Sequence, residues 1–123
     1  MMLAPKIRLM LAATAVLACG PVAAQSLAIL APGCREPESV EVPDAQTATE
    51  ADLEKAGPRV KSFVANGEEY LKCLQMAEAS LGDTITPEQR AVLLGAYNVT
   101  VDRMQATGTM YNQAVRAWKE RNP

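Results

Sequence analysis

Three cysteines, Cys19, Cys34 and Cys73, carry most of the chemistry this sequence can offer. No histidine stands beside them, because the chain has none. That removes the commonest general base and the commonest metal ligand. The cysteines are too far apart for a C-x-x-C redox pair or a cysteine-rich zinc site. Cys19 follows Val16-Leu17-Ala18, a loose form of the small-residue approach to a lipidated cysteine. Whether Cys19 is lipidated or cut away, its thiol is lost. Cys34 and Cys73 remain, an even pair that reads as one structural disulfide in an oxidising compartment.

The other candidates are weaker. Glu68, Glu69 and Glu78 lack the i, i+3 or i, i+4 spacing of a carboxylate pair and read as a solvated helix face. Glu36, Glu38, Glu41 and Asp44 lack the glycine-centred spacing of a calcium loop. Met76, Met104 and Met110 do not cluster as a copper(I) site would, and Met104 falls on a core position. Asn98-Val99-Thr100 matches a glycosylation sequon inside a predicted helix. There is no G-x-S-x-G and no glycine-rich phosphate loop. The expectation is a protein that is not an enzyme and has no cofactor and no metal.

The first residues address the chain. Lys6 and Arg8 form a positive start, and Leu9 to Ala18 is apolar. That run is shorter than the ~20 residues needed to span a bilayer. Gly20-Pro21 breaks it, and Val22 and Ala24 are the small residues that signal peptidase requires. Residues 1–24 are therefore expected to be a signal peptide cut after Ala24. The alternative is an envelope lipoprotein tethered at Cys19. The full chain has 12 bases and 14 acids, net −2; without Lys6 and Arg8, 10 bases remain and the balance is −4. An acidic domain argues against nucleic acid as a partner. It argues against a membrane partner too, unless Cys19 is lipidated.

The elements that would position Cys34 and Cys73 follow in order. Residues 25–48 carry Pro32, Pro37 and Pro43 among four acids and read as an extended, proline-rich arm. Residues 49–123 read as a helical hairpin domain. Thr47 with Glu50, or Thr49 with Asp52, opens the first helix with a capping box. Leu53, Val60, Gly67, Leu74 and Leu81 recur every seven residues, with Ala56, Phe63, Tyr70 and Ala77 three positions on. That is the stripe of a helix that packs on another. Gly57-Pro58 threatens its continuity.

Gly82 offers a stop, and Thr86-Pro87-Glu88-Gln89 a second start with proline at the first position. The second stripe is Leu94, Val101, Gly108 and Val115, with Tyr97, Met104, Tyr111 and Trp118. Two long helices on a short connection make antiparallel neighbours. Residues whose numbers sum to about 168 then lie level, with Gly67 facing Val101, Val60 facing Gly108 and Tyr70 beside Tyr97. Arg116, Lys119 and Arg121 come near the acidic run from Glu36 to Glu54. The fold class expected is all-α: an antiparallel two-helix hairpin, coiled-coil-like, with an extended N-terminal arm.

Distances let that arm reach Cys73. Glu50 to Cys73 spans about 35 Å of helix, and Cys34 to Glu50 extends to about 50 Å. Cys73 stands at the edge of the stripe, where an arm lying along the helix would meet it.

The series Cys34-Arg-Glu-Pro37, Thr47-Ala-Thr-Glu50, Val60-Lys-Ser-Phe63 and Tyr70-Leu-Lys-Cys73-Leu74 resembles a group of small exported proteobacterial proteins of unknown function. The resemblance covers about the middle third of the chain. It implies a helical hairpin pinned by a disulfide and supplies no activity.

Two readings of function follow. One is a periplasmic or secreted non-enzymatic module that binds an envelope protein or forms a homodimer. Val64 and Leu71, with Val92 and Val99, are the further apolar surface it would bury. The other is the Cys19-tethered lipoprotein. The intact mass of the protein, expressed with its own first residues, separates them. A chain beginning at Gln25 that gains two hydrogens on reduction is the expected result. A chain beginning at Cys19 with added acyl mass identifies the lipoprotein.

Overall fold

The computed structural model describes residues 27–123, so the expected signal peptide 1–24, the expected cut after Ala24 and Cys19 lie outside the described residues. The described residues are helical or irregular, with no strand among them. Helix α1 spans Glu50–Leu81 and helix α2 spans Pro87–Arg121, joined through a 3-10 turn at Gly82–Thr84. The two long helices pack against each other.

Each boundary has a local cause. The Thr49 hydroxyl accepts from the Asp52 N–H, and the Asp52 carboxylate accepts from the Thr49 N–H. The Thr49 N–H, with the Thr49 hydroxyl beside it, holds the Asp52 carboxyl below its usual pKa range. Thr86 and Gln89 repeat the box at the start of α2, with Pro87 in the first turn. Gly82, at φ 52°, ends α1. A side chain would be strained in that left-handed conformation.

Helix α1 runs unbroken through Gly57-Pro58. Proline leaves a turn of the ladder short of a donor. In that region the Tyr111 hydroxyl donates to the Leu53 carbonyl at 3.2 Å. Gly57 makes room for it, since a Cβ there would lie 2.8 Å from the Tyr111 oxygen. The pair that threatens the helix in the sequence is the seat of a tyrosine from the other helix.

The α1 stripe is buried as its heptads require: Leu53, Ala56, Val60, Phe63, Gly67, Tyr70 and Leu74. The α2 stripe differs from expectation. Its buried residues are Leu93, Thr100 and Ala114, while Leu94 is 56% exposed and Val101 and Val115 are half-buried. The centre of the buried face has moved by one residue. The cause is a second neighbour, because α2 packs on α1 at Met104 and Tyr111 and on the arm at Arg103. Thr100 tolerates full burial because its hydroxyl donates to the Ala96 carbonyl in its own helix.

Side-chain contacts join the two helices. Gly57 meets Tyr111, Phe63 lies under Arg103, and Arg90 pairs with Glu78. The facing partners of the glycines differ from expectation. The Met104 thioether fills the space over Gly67, where Val101 was expected. A Cβ on Gly108 would meet nothing within 4 Å, so Val60 does not fill that site.

The arm also departs from a fully extended chain. Residues 27–30 form a helical turn, and Leu27 and Leu30 pack with Ala31 on the cluster of Tyr70, Leu74 and Leu93. The i, i+3, i+4 spacing of those three residues explains the turn, and Gly33, at φ 80°, ends it. A second cluster of Ala48, Leu53 and Ala114 closes the far end.

The Gly67–Met104 contact is directly testable. Gly67→Leu should cost about 1–3 kcal/mol through overpacking, and Met104→Ala in the same chain should recover part of the loss. Thermal melts that do not change with Gly67→Leu would dismiss the contact.

Candidate functional site

Cys34 and Cys73 form the disulfide, with Cα atoms 5.5 Å apart and a sequence separation of 39. The bond fastens the arm to the flank of α1. From there the arm runs against the direction of α1, since one groove is lined by Gly33 to Glu41 of the arm and by Cys73 back to Pro58 of α1. Eight steps along the arm, from Gly33 to Glu41, cover fifteen steps of helix, from Cys73 to Pro58, about 22 Å at ~1.5 Å per step. That requires nearly extended arm backbone.

Arg103 of α2 grips the middle of the arm. Its guanidinium pairs with Glu36, donates to the Pro37 carbonyl at 3.3 Å and to the Ser39 hydroxyl at 2.8 Å. It also stands over the Phe63 ring, 5.6 Å from the centroid. A planar fork with five donors can make these contacts together; a lysine cannot. Pro37 is buried beneath this grip. At the far end, Arg121 donates to the carbonyls of Ala45 and Ala48. The bases of the last turn were expected to meet the acidic run, but Arg121 meets backbone carbonyls at the turn before α1.

Between the arm and α1 lies an open groove of about 1030 Å³. Ser62, Asn66 and Glu69 make its helical wall, and Tyr70 and Phe63 its base. Tyr70 is 4% exposed. Burial pushes its hydroxyl above the ordinary tyrosine range; the Glu36 charge adds to this and Arg103 opposes it. No described residue hydrogen-bonds that hydroxyl. No unpaired side-chain N or O among the described residues is sealed from solvent, so the hydroxyl opens to the groove.

Of the sequence-derived site residues, the structure brings Cys34 and Cys73 together, and Cys19 lies outside the described residues. Arg103 and Arg121 carry no site signal in the sequence. Their only mark is position: Arg103 directly precedes the core residue Met104. Tyr70 and Phe63 read as core from their spacing, and they are core, with one hydroxyl left over. Among the described residues, no three Cys, Asp or Glu side chains converge as a metal set would. No described helix is long and apolar enough to cross a membrane.

Compared with known proteins, the chain matches no family model, no curated protein and no solved structure.

Disulfide and arginine hold the same arm, so their losses should couple. Closing a loop of this length contributes about 4 kcal/mol in the chain-entropy account. Cys34→Ser with Cys73→Ser should lower unfolding free energy by about 3–4 kcal/mol in urea titration. Arg103→Leu should cost less in that background than in the parent, by at least about 0.5 kcal/mol. Strict additivity would mean that the two do not hold one element.

Proposed function

We propose that this is an exported, non-enzymatic helical protein that works by self-association. In this reading residues 1–24 are a signal peptide removed after Ala24, residues 25–48 are the arm, and residues 49–123 are an antiparallel, coiled-coil-like hairpin. The protein acts in the periplasm or outside the cell, in keeping with the likeness to small exported proteobacterial proteins. The disulfide is compatible with an oxidising compartment. With no histidine and both described cysteines tied up in that bond, the residue set favours binding over catalysis. Tethering at Cys19, with an envelope protein as partner, is the alternative that the intact mass separates.

One observation carries the self-association reading: the 56% exposure of Leu94 on the face turned away from the arm. At ~100° per residue, Leu94 and Val101 lie about 160–180° round α2 from Arg103, which holds the arm. Val64 lies about 180° round α1 from Cys73, which also holds the arm. Val64, Leu71, Leu94, Val101 and Gly108 therefore share one face, with Gln75, Gln105 and Asn112 along it, the Arg90–Glu78 pair at its loop end and Lys119 at its other end. Val92 and Val99 do not belong to this face. They share the Arg103 side of α2, which divides the surface expected from the sequence into two.

The occupant is a second copy of the chain. Two helices ~45 Å long, set ~10 Å apart, present roughly 800–900 Å², which matches the ~800 Å² per partner of a stable interface. Pairing two such faces makes a four-helix arrangement. Sedimentation equilibrium of the oxidised protein should return twice the chain mass. Leu94→Glu should return the single-chain mass with the melting temperature of the isolated chain unharmed, since Leu94 is outside the core. A parent protein that stays monomeric at high micromolar concentration would end this reading.

A further inference from the structure

We propose that the groove between the arm and α1 is a binding site for an extended peptide of about six residues, which adds to the arm as a second strand. This surface is separate from the Leu94 face and does not depend on dimerisation.

Three observations carry it. The first is the state of the arm backbone. Among the described residues, 35–43 make no backbone–backbone hydrogen bond, and the only hydrogen bond to a carbonyl in that stretch is from Arg103 to Pro37. All seven non-proline residues, Arg35, Glu36, Glu38, Ser39, Val40, Glu41 and Val42, have a backbone N–H with no partner among the described residues. An extended segment with open N–H and C=O groups is the template for strand addition. It is held straight by the disulfide at one end, Arg103 in the middle and Arg121 at the other end. A partner therefore meets backbone that is already ordered, and the cost of ordering it at binding is avoided.

The second is Tyr70. Tyr70 is 4% exposed overall, yet its hydroxyl has no hydrogen-bond partner among the described residues and is not sealed from solvent, which leaves an open donor and acceptor on an otherwise buried side chain. Its oxygen opens into this groove, beside the row of unpaired arm groups. The third is size. The groove runs about 22 Å from Pro58 to Cys73, the reach of six to seven extended residues at ~3.3 Å each. Its volume of about 1030 Å³ leaves room for a chain with its side chains.

The lining defines the peptide. Inward side chains would meet Ser62, Asn66 and the Tyr70 hydroxyl, so hydroxyl and amide side chains fit best at alternate positions. Glu36 and Glu69 already pair with Arg103 and Lys72. That leaves Glu38 and Glu41 against Arg35 and Arg59, a balance that favours neither a strongly basic nor a strongly acidic segment.

The test uses the oxidised chain and a phage-displayed library of random linear seven-residue peptides. Peptides rich in Ser, Thr, Asn and Gln at alternate positions should be enriched, and their binding is then read by fluorescence anisotropy. Tyr70→Phe should weaken it about tenfold, the factor supplied by one hydrogen bond. Its melting temperature should hold, because the hydroxyl has no partner among the described residues. Successive N–H groups of an extended chain point to opposite sides. One of Val40→Pro and Glu41→Pro should therefore abolish binding and the other spare it. Proline suits an extended arm, so both variants should fold. Leu94→Glu should bind like the parent. The proposal is overturned if no peptide is enriched over background. It is overturned equally if Tyr70→Phe and both proline variants bind unchanged, if both proline variants lose binding alike, or if Leu94→Glu loses it.

Discussion

Two helices lying side by side bury only the strip where they touch, and each leaves its flanks to water. A third element must cover one of those flanks if a core is to form. Here that element is an arm with little of its own to bury: one helical turn at residues 27–30, Pro37 and Ala48. The Cys34–Cys73 bond turns this weakly packing segment into a permanent wall. The rest follows from the wall. The α2 core is centred on Leu93, Thr100 and Ala114 because α2 has the arm on one side and α1 on the other. Arg103 can be half-buried because the arm supplies a carboxylate, a carbonyl and a hydroxyl to receive it.

Glycine and methionine adjust the helix contact where the side chains of the stripe would not mesh. Gly57 admits the Tyr111 hydroxyl to a turn weakened by Pro58, and Gly67 admits the Met104 thioether. Each glycine costs helix stability, roughly 0.8–1 kcal/mol relative to alanine. Each returns a cross-helix contact that alanine would obstruct. Methionine suits its place because its unbranched chain adapts to an irregular gap.

The sequence makes some of this legible and not the rest, for physical reasons. Both capping boxes, the Gly82 stop and the α1 stripe can be read because each depends on residues three to seven positions apart. The Cys34–Cys73 pairing can be read because only two thiols remain once Cys19 is set aside. The α2 stripe misleads by one residue, since heptad reasoning assumes a single neighbour and α2 has two. The arm's first turn hides in an apolar run too short to show a period. Arg103 is invisible because its three partners on the arm lie more than sixty residues away in sequence. The groove is invisible for the same reason, as neither of its walls is a groove alone.

Both cysteines precede α2 in the chain, and this sets an order of assembly. A polypeptide that enters an oxidising compartment N-terminus first presents the arm and α1 ahead of α2. Under oxidising conditions the bridge can close over that half-built domain. Helix α2 would then dock onto the tied arm and α1, with Arg103 and Arg121 as the last latches to close. The covalent bond in this protein is therefore placed to act as scaffolding during construction as well as a tie in the finished molecule.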